Sequence, residues 1–566
     1  MKWTTMRDML GIDFKNKNVL VVDSIKQSRD TLKTFAINLG CNRIDSSYHG
    51  PDIVTKCEDI QYDLIMLGYD LGEDKKNGQQ ILEELRVKSL ISRHCIVIMI
   101  TAEVSQEMVL AALEHKPTDY LTKPYSLKLL TDRLERAFEK LEEMSDIYTA
   151  LDNNDAHTVI QLCDEKIRNS SPYKLECLGI KSRQHFNLKE YDKAERIYKT
   201  YQDTLNCQWA NIGLGKIAIE NKNYADAAQL FIEIIDKYPK YLSAYDGLAK
   251  TYKLQYNKKK AQKVLEKAVD LSPRSFNRVK EYADLCFKNG DFEKSTPAYF
   301  QTYELSSNSI HKNPNNAFAL AKSFVEYSEQ LPMSKIRNYK NKVFKVLADT
   351  NREHATYEVR IRVGLYNAQI HFIVKEVFDG KNALVRAESL LDKKIDEISI
   401  SGLNEIAGSL QKLHREEKAH SLRTRAAKFK ETNRELLEHD EAVEALTLTE
   451  SDQQKAQAAL EIGINLYRSG KYATAIEKLN NALLLFPNHI GIKLNLLQVL
   501  LVAFEQYDER KLELQQAEVI IGELNKELTK PSKTLDRFNK LKAKYESLIN
   551  IQKTKKQKTR SNRYGF

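Results

Sequence analysis

The chain has 566 residues, 42% of them apolar and 29% charged, with a formal net charge of +10. That length exceeds one ordinary core and implies three or more structural units. Only 20 Gly and 11 Pro occur, which favours long helices over many turns. Seven cysteines at 41, 57, 95, 163, 177, 207 and 286, none in a C-x-x-C spacing, exclude a zinc ribbon or a disulfide framework and suit a reducing cytosol. No apolar window approaches the roughly 20 residues of a membrane span, and the N-terminus has no signal-peptide core, so a cytoplasmic protein is expected. Six of the ten excess charges lie in the last 16 residues: Lys553, Lys555, Lys556, Lys558, Arg560 and Arg563. The body is therefore only mildly basic, which argues against nucleic acid as its partner.

Residues 1–15 read as a loose lead-in. Asn18–Asp23, NVLVVD, reads as a buried strand, and Ser24–Leu39 as a helix with Leu32, Phe35, Ala36 and Leu39 on one face. A short strand at Ile44–Ser47, a helix around Ile53–Cys57 and a strand at Tyr62–Leu67 follow. Next come a helix at Gln79–Arg86, a strand at Cys95–Ile100, a helix at Ser105–Leu113, a short strand at Asp119–Thr122 and a closing helix at Ser126–Glu142. Five strands alternating with five helices predict a five-stranded parallel sheet of the flavodoxin-like α/β class. In such a sheet the C-terminal strand ends gather the functional residues, here Asp23, Ser24, Gly68, Thr101 and Lys123.

The motifs VLVVD-S at 19–24, DLIML-G at 63–68, MITA at 99–102 and DYLTKPY at 119–125 resemble the receiver domain of two-component response regulators. The resemblance implies a phosphoryl-accepting aspartate after the third strand, an acidic pair that binds magnesium, and a threonine and a lysine that contact the phosphoryl group. Thr101 and Lys123 match the last two, Tyr120 the family's switch aromatic and Asp23 the first acid, while the second acid is Ser24 and the phosphoacceptor position is Gly68. Glycine offers no nucleophile, and one carboxylate fewer weakens a site for a hard dication. No cofactor is required on this reading, with weak magnesium binding at Asp23 left open. Asp70 lies on the same side as position 68 by strand parity and is the alternative acceptor; otherwise it is a loop acid that caps a turn. Without a phosphoaspartate, Lys123 is free to pair with Asp23.

From about 150 the period changes. Ala227 and Ala261 are 34 residues apart, as are Pro239 and Pro273. Leu214, Gly215, Tyr224 and Phe231, then Tyr245, Leu248, Tyr252, Leu265 and Ala268, recur in that frame, and Gly463, Tyr472, Ala475, Ala482 and Pro487 repeat it near the far end. The pattern resembles the tetratricopeptide repeat, whose stacked helix pairs form an all-α superhelical solenoid with a protein- or peptide-binding groove. Small residues such as Ala227 let helices approach, large ones such as Phe231 fill the gap to the neighbour, and the prolines end second helices. The stripe Tyr241, Tyr245, Tyr252 and Tyr256 reads as core packing.

The expected organisation is a lead-in at 1–15, a receiver-like domain at 16–142, repeats at 150–310 and degenerate helical repeats at 311–450. A further repeat at 451–505, capping helices at 506–550 around a break at Pro531, and a disordered basic tail at 551–566 complete it. The expected function is a non-enzymatic signalling adaptor that docks a histidine kinase or another response regulator through the receiver unit and a second protein through the repeats. The alternatives are a phospho-switched regulator using Asp70 and a nucleic-acid scaffold acting through the tail.

Overall fold

The computed structural model describes residues 14–41, 43–72, 75–102, 117–432, 450–506, 511–528 and 532–561. Its chain divides into two compact units, Met1–Lys312 and Asn313–Phe566. The helix expected over Ser105–Leu113 and the break at Pro531 lie outside the described residues.

Five short apolar runs make the first unit's sheet: β1 (Asn18–Val22), β2 (Arg43–Ser47), β3 (Leu64–Gly68), β4 (Ile96–Thr101) and β5 (Asp119–Thr122). All neighbours are parallel, in the order β2-β1-β3-β4-β5. Side chains alternate across a strand, so Val19, Val21, Leu64 and Met66 enter one core and Leu20, Val22, Ile65 and Leu67 the other. The first core is completed by residues of α1 (Lys26–Asn38) and α4 (Leu127–Asp152), the second by residues of α2 (Gly50–Asp59) and α3 (Gly78–Val87). Phe14 is not part of a loose lead-in: it is 3% exposed and packs edge-on against Phe138, ring centroids 5.3 Å apart.

The closing helix corrects the expected boundary. α4 is 26 residues long and passes without a break through the segment 142–150 at which the two architectures were expected to separate. Its first half covers the sheet, while Met144, Ile147 and Ala150 pack with Val159, Cys163 and Cys177 of the next two helices. One rigid rod therefore belongs to both cores.

Helix pairs follow: α5 (Ala156–Arg168), α6 (Lys174–Asn187), α7 (Tyr191–Tyr201), α8 (Gln208–Glu220), α9 (Tyr224–Lys237), α10 (Leu242–Leu254), α11 (Lys258–Leu271), α12 (Phe276–Lys288) and α13 (Phe292–Ser306). Left-handed residues after α4, α6, α8, α10 and α12, at Asn154, Lys189, Lys222, Tyr256 and Gly290, punctuate the array at a spacing of about 34 residues, the repeat period. Each closes its helix in the same way; after α8, Lys222 N–H donates to Ile219 O and Asn223 N–H to Ala218 O. Tyr256 is thus a turn residue, 89% exposed, and not core as the tyrosine stripe suggested; Tyr245 is buried and donates its hydroxyl to Pro239 O at 2.9 Å.

Phe231 locks adjacent pairs together. The ring, from α9, is fully buried, and a Cβ added to Gly215 on α8 or to Gly247 on α10 would lie 2.6 or 2.5 Å from it. Ala227, Ala261, Leu265 and Ala268 are fully buried, Leu214 and Leu248 nearly so, while Tyr224 and Tyr252 pack at the edge of the core that holds Ala227, Phe231 and Leu248. Pro239 and Pro273 each sit two residues beyond a second helix, where their fixed backbone bars its continuation.

The second unit is all helical: α14 (Pro314–Ser328), α15 (Met333–Glu353), α16 (Tyr357–Ile373), α17 (Val377–Lys394), α18 (Ile400–Lys412), α19 (Glu416–Thr432), α20 (Glu450–Arg468), α21 (Tyr472–Leu485), α22 (Ile490–Gln506), α23 (Lys511–Glu527) and α24 (Lys533–Ser561). The stretch from Val359 to Phe378 spans the α16–α17 turn, where Lys375 is left-handed at φ 65°. Gly463 on α20 faces Leu479 on α21, 2.5 Å from where its Cβ would be, with Ala475 and Ala482 buried, Tyr472 half-buried and Pro487 just beyond the helix. The helix α24 carries the chain to Ser561, through the first eleven residues of the segment that was expected to lack structure. No helix among the described residues is long and apolar enough to cross a membrane.

Phe231→Ala should destabilise the chain by about 3–5 kcal/mol, the cost of an unfilled aromatic cavity between two glycines. A urea unfolding midpoint unchanged from the native chain would contradict this packing.

Candidate functional site

The parallel register brings the ends of β1, β3, β4 and β5 to one edge. Asp23, just past β1, is 2% exposed. Its Oδ1 accepts from Ile25 N–H at 2.9 Å; its Oδ2 accepts from Ser28 Oγ at 2.8 Å and from Lys123 Nζ at 2.6 Å. Lys123 also donates to Ser28 Oγ at 3.3 Å. The lysine arrives there because its backbone N–H donates to Thr101 O at 2.6 Å, extending the β4–β5 ladder by one bond. The pair was legible in the sequence as one of two fates for Lys123.

Ser24 stands where the resemblance places the second acid. Its side chain donates to Asp70 O at 2.9 Å, so the hydroxyl ties the loop after β1 to the loop after β3. Asp70 is exposed, and its own carboxylate accepts from Gly72 N–H at 2.9 Å. That is a turn cap, the second of the two readings open for it. Thr101 is buried at the end of β4. Tyr120 is half-buried on β5 and packs against the core made with α2 and α3. Nearby, burial and then the negative Asp23 push the Tyr125 hydroxyl up to about 12, so it stays a neutral phenol.

Gly68 ends β3. A Cβ there would lie 3.0 Å from Val22 O, 3.3 Å from Asp23 Cα and 3.5 Å from Asp23 Oδ2. Any side chain at 68 would press on the β1 backbone and enter directly beside the Asp23 carboxylate. A Cβ at Gly78, the first residue of α3, would clash with the Gly68 carbonyl oxygen, and Gly78 N–H donates to Tyr69 O at 2.7 Å. Gly78 thus lets α3 start hard against the end of β3, while Gly68 lets β3 lie close against the end of β1.

A hard divalent ion wants several free oxygen ligands, carboxylates foremost. Both oxygens of Asp23 are already engaged, an ammonium lies 2.6 Å from one of them, and Ser24 and Asp70 are turned to loop contacts. This donor set does not fit magnesium.

Sequence reading missed a second cluster in the same unit. Tyr69 follows Gly68 and accepts at its hydroxyl from Arg274 Nη1, 2.9 Å away, beyond α11. On α3, Glu83 Oε1 meets His311 Nε2 at 2.8 Å, and Gln80 Nε2 donates to Leu305 O at 3.3 Å. Partners more than two hundred residues apart leave no periodic trace in a single sequence. The start of α3 was more readable: Asn77 and Gln80 form a reciprocal capping box, Gln80 N–H to Asn77 Oδ1 at 2.9 Å and Asn77 N–H to Gln80 Oε1 at 3.0 Å.

Residues 19–135 match the response regulator receiver domain, and residues 210–241 match the tetratricopeptide repeat. Over 127 residues the chain is 25% identical to the chemotaxis protein CheY-3 of Vibrio cholerae, a stretch that is 22% of this chain and 95% of that protein. A two-component response regulator from Clostridium difficile is 25% identical over 22% of this chain and 98% of its own, with a TM-score of 0.20. MamA from Desulfovibrio magneticus RS-1 is 19% identical over 29% of this chain and 92% of its own, with a TM-score of 0.25. The chain therefore carries a response-regulator receiver domain followed by tetratricopeptide repeats, a combination consistent with two-component signalling and protein interaction.

Lys123→Met should cost about 3 kcal/mol, because it strands the buried Asp23 charge. The double variant Asp23→Asn/Lys123→Met should lose less than Lys123→Met alone, since it removes both charges together. Denaturant unfolding of the native chain and the two variants checks this; simple additivity would mean that the pair is not coupled.

Proposed function

We propose that this protein is a phosphate-independent signalling adaptor. Its receiver unit docks a histidine kinase or a second response regulator, and its repeats hold another protein. It neither hydrolyses nor transfers a phosphoryl group, and no magnesium step enters the reading.

The observation that carries the proposal is the closed network at the strand edge. The residue that ends β3 is Gly68, which has no nucleophilic atom, and the lysine that would meet a phosphoryl group is neutralised by Asp23 at 2.6 Å. The alternative acceptor, Asp70, spends its carboxylate on the Gly72 amide, which weakens the reading of a switch that uses it. A receiver that keeps its fold without an acceptor can bind a kinase without draining its phosphate, and so alter the flow to a competent regulator. The retained fold and the match to the receiver family support docking through that unit; the repeats, a module built for protein contact, support a second partner.

Incubation with acetyl phosphate and magnesium, followed by intact-mass analysis, tests the proposal. The native chain should gain no phosphoryl mass. A phosphoryl adduct on the native chain, mapped to Asp70 or to any other residue of the receiver unit, would overturn the adaptor reading in favour of a phospho-switch.

A further inference from the structure

We propose that the receiver unit is an intramolecular ligand of its own repeats. Its α3, with the loop after β3, occupies a docking surface on the connection between α11 and α12 and on the end of α13. Three polar contacts join the two sides. Arg274, in the α11–α12 connection, donates to the Tyr69 hydroxyl at 2.9 Å, and its guanidinium lies 5.9 Å from the centre of that ring. His311, past α13, meets Glu83 at 2.8 Å, both side chains largely buried, at 13% and 14% exposure. The imidazole is stacked flat on Phe276 of α12, ring centroids 4.1 Å apart at 9°. Gln80 uses one end of its amide to cap α3 and the other to reach Leu305 O.

The interface has the character of a separable one. The three side-chain contacts that join it are polar or charged, and between them lies a cavity of about 70 Å³ lined by polar Asn77, Gln79, Arg274 and Asn277 and by apolar Phe276 and Leu305. Gln79, 6% exposed, has an Oε1 with no hydrogen-bond partner among the described residues. A fused core would have filled that space with apolar side chains. The rod α4 holds the receiver at the head of the array, so the docking needs no long-range search and its effective concentration is high.

The docked face is also the one that answers to the strand edge. Tyr69 is the next residue after Gly68, and α3 begins against the Gly68 carbonyl. The end of β3 is thereby joined to Arg274 through Tyr69 and to His311 through Glu83 of α3. A protein that uses this surface of the repeats reaches it only by displacing α3. The inference holds whether or not the receiver unit binds a kinase.

Hydrogen–deuterium exchange on the full chain tests it through reciprocity. Glu83→Ala, a change in the receiver, should speed exchange in residues 272–277 and 305–311 of the repeats by about tenfold, the loss of one charge-assisted hydrogen bond. Arg274→Ala, a change in the repeats, should do the same for residues 75–87 of the receiver. Residues 18–22 of β1 should stay slow in both, which shows that the fold is kept. Tyr69→Phe removes a single hydroxyl and serves where a larger change perturbs folding. Exchange that rises only around each substituted residue, or not at all across the interface, would overturn the proposal.

Discussion

The ion pair between Asp23 and Lys123 is the constraint from which the receiver's present state follows. It joins the end of β1 to the residue after β5, the first strand in the chain to the last, across a sheet whose order puts β3 and β4 between them. With Asp23 only 2% exposed, the carboxylate is sustained by its three donors, and Lys123 is the one that brings a balancing charge. Each neighbour is then committed. Ser24 holds the Asp70 carbonyl, Asp70 holds Gly72, and Gly68 leaves just enough room for Val22 and Asp23 to sit beside β3. The edge that a receiver fold offers for chemistry is here a set of satisfied hydrogen bonds.

That edge is mechanically continuous with the rest of its unit by two routes. One is the uninterrupted helix α4, whose Leu134 and Phe138 face the sheet and whose Met144 and Ile147 face the first repeat helices. The other is the short path from Gly68 through Tyr69 and α3 to Arg274 and His311. Between these two attachments the repeats are held in register by buried rings at glycine positions, Tyr198 against Gly213 and Phe231 against Gly215 and Gly247.

Much of this architecture was legible because its signals are local. Apolar runs such as Leu64–Leu67 announce buried strands, and the thirty-four-residue recurrence of Ala227 and Ala261 announces stacked pairs. The pairing of Lys123 with Asp23 followed from charge and topology. What escaped was carried by distance or by backbone conformation. Tyr256 fits a helix-face spacing yet takes φ 58° in a turn. The run of α4 into the repeats, by contrast, was open in the sequence, which has no breaker between 142 and 150. One missed signal was in plain view. His185-Phe-x-x-Lys-Glu190 and His371-Phe-x-x-Lys-Glu376 are the same helix-turn unit, each with His Nδ1 2.6 Å from the glutamate and a left-handed lysine. That recurrence marks α16 and α17 as a helix pair of the same make as α6 and α7, in a region where the small-residue pattern had faded.

Among the described residues the strand edge is closed by its own side chains, a donor set that does not fit the ion that phosphoryl transfer needs. Calorimetric titration of the full native chain with magnesium tests this most directly. The account predicts no saturable heat through the millimolar range, because both oxygens of Asp23 are taken and an ammonium already supplies the balancing charge. Saturable binding at that level, abolished by Asp23→Asn, would contradict it.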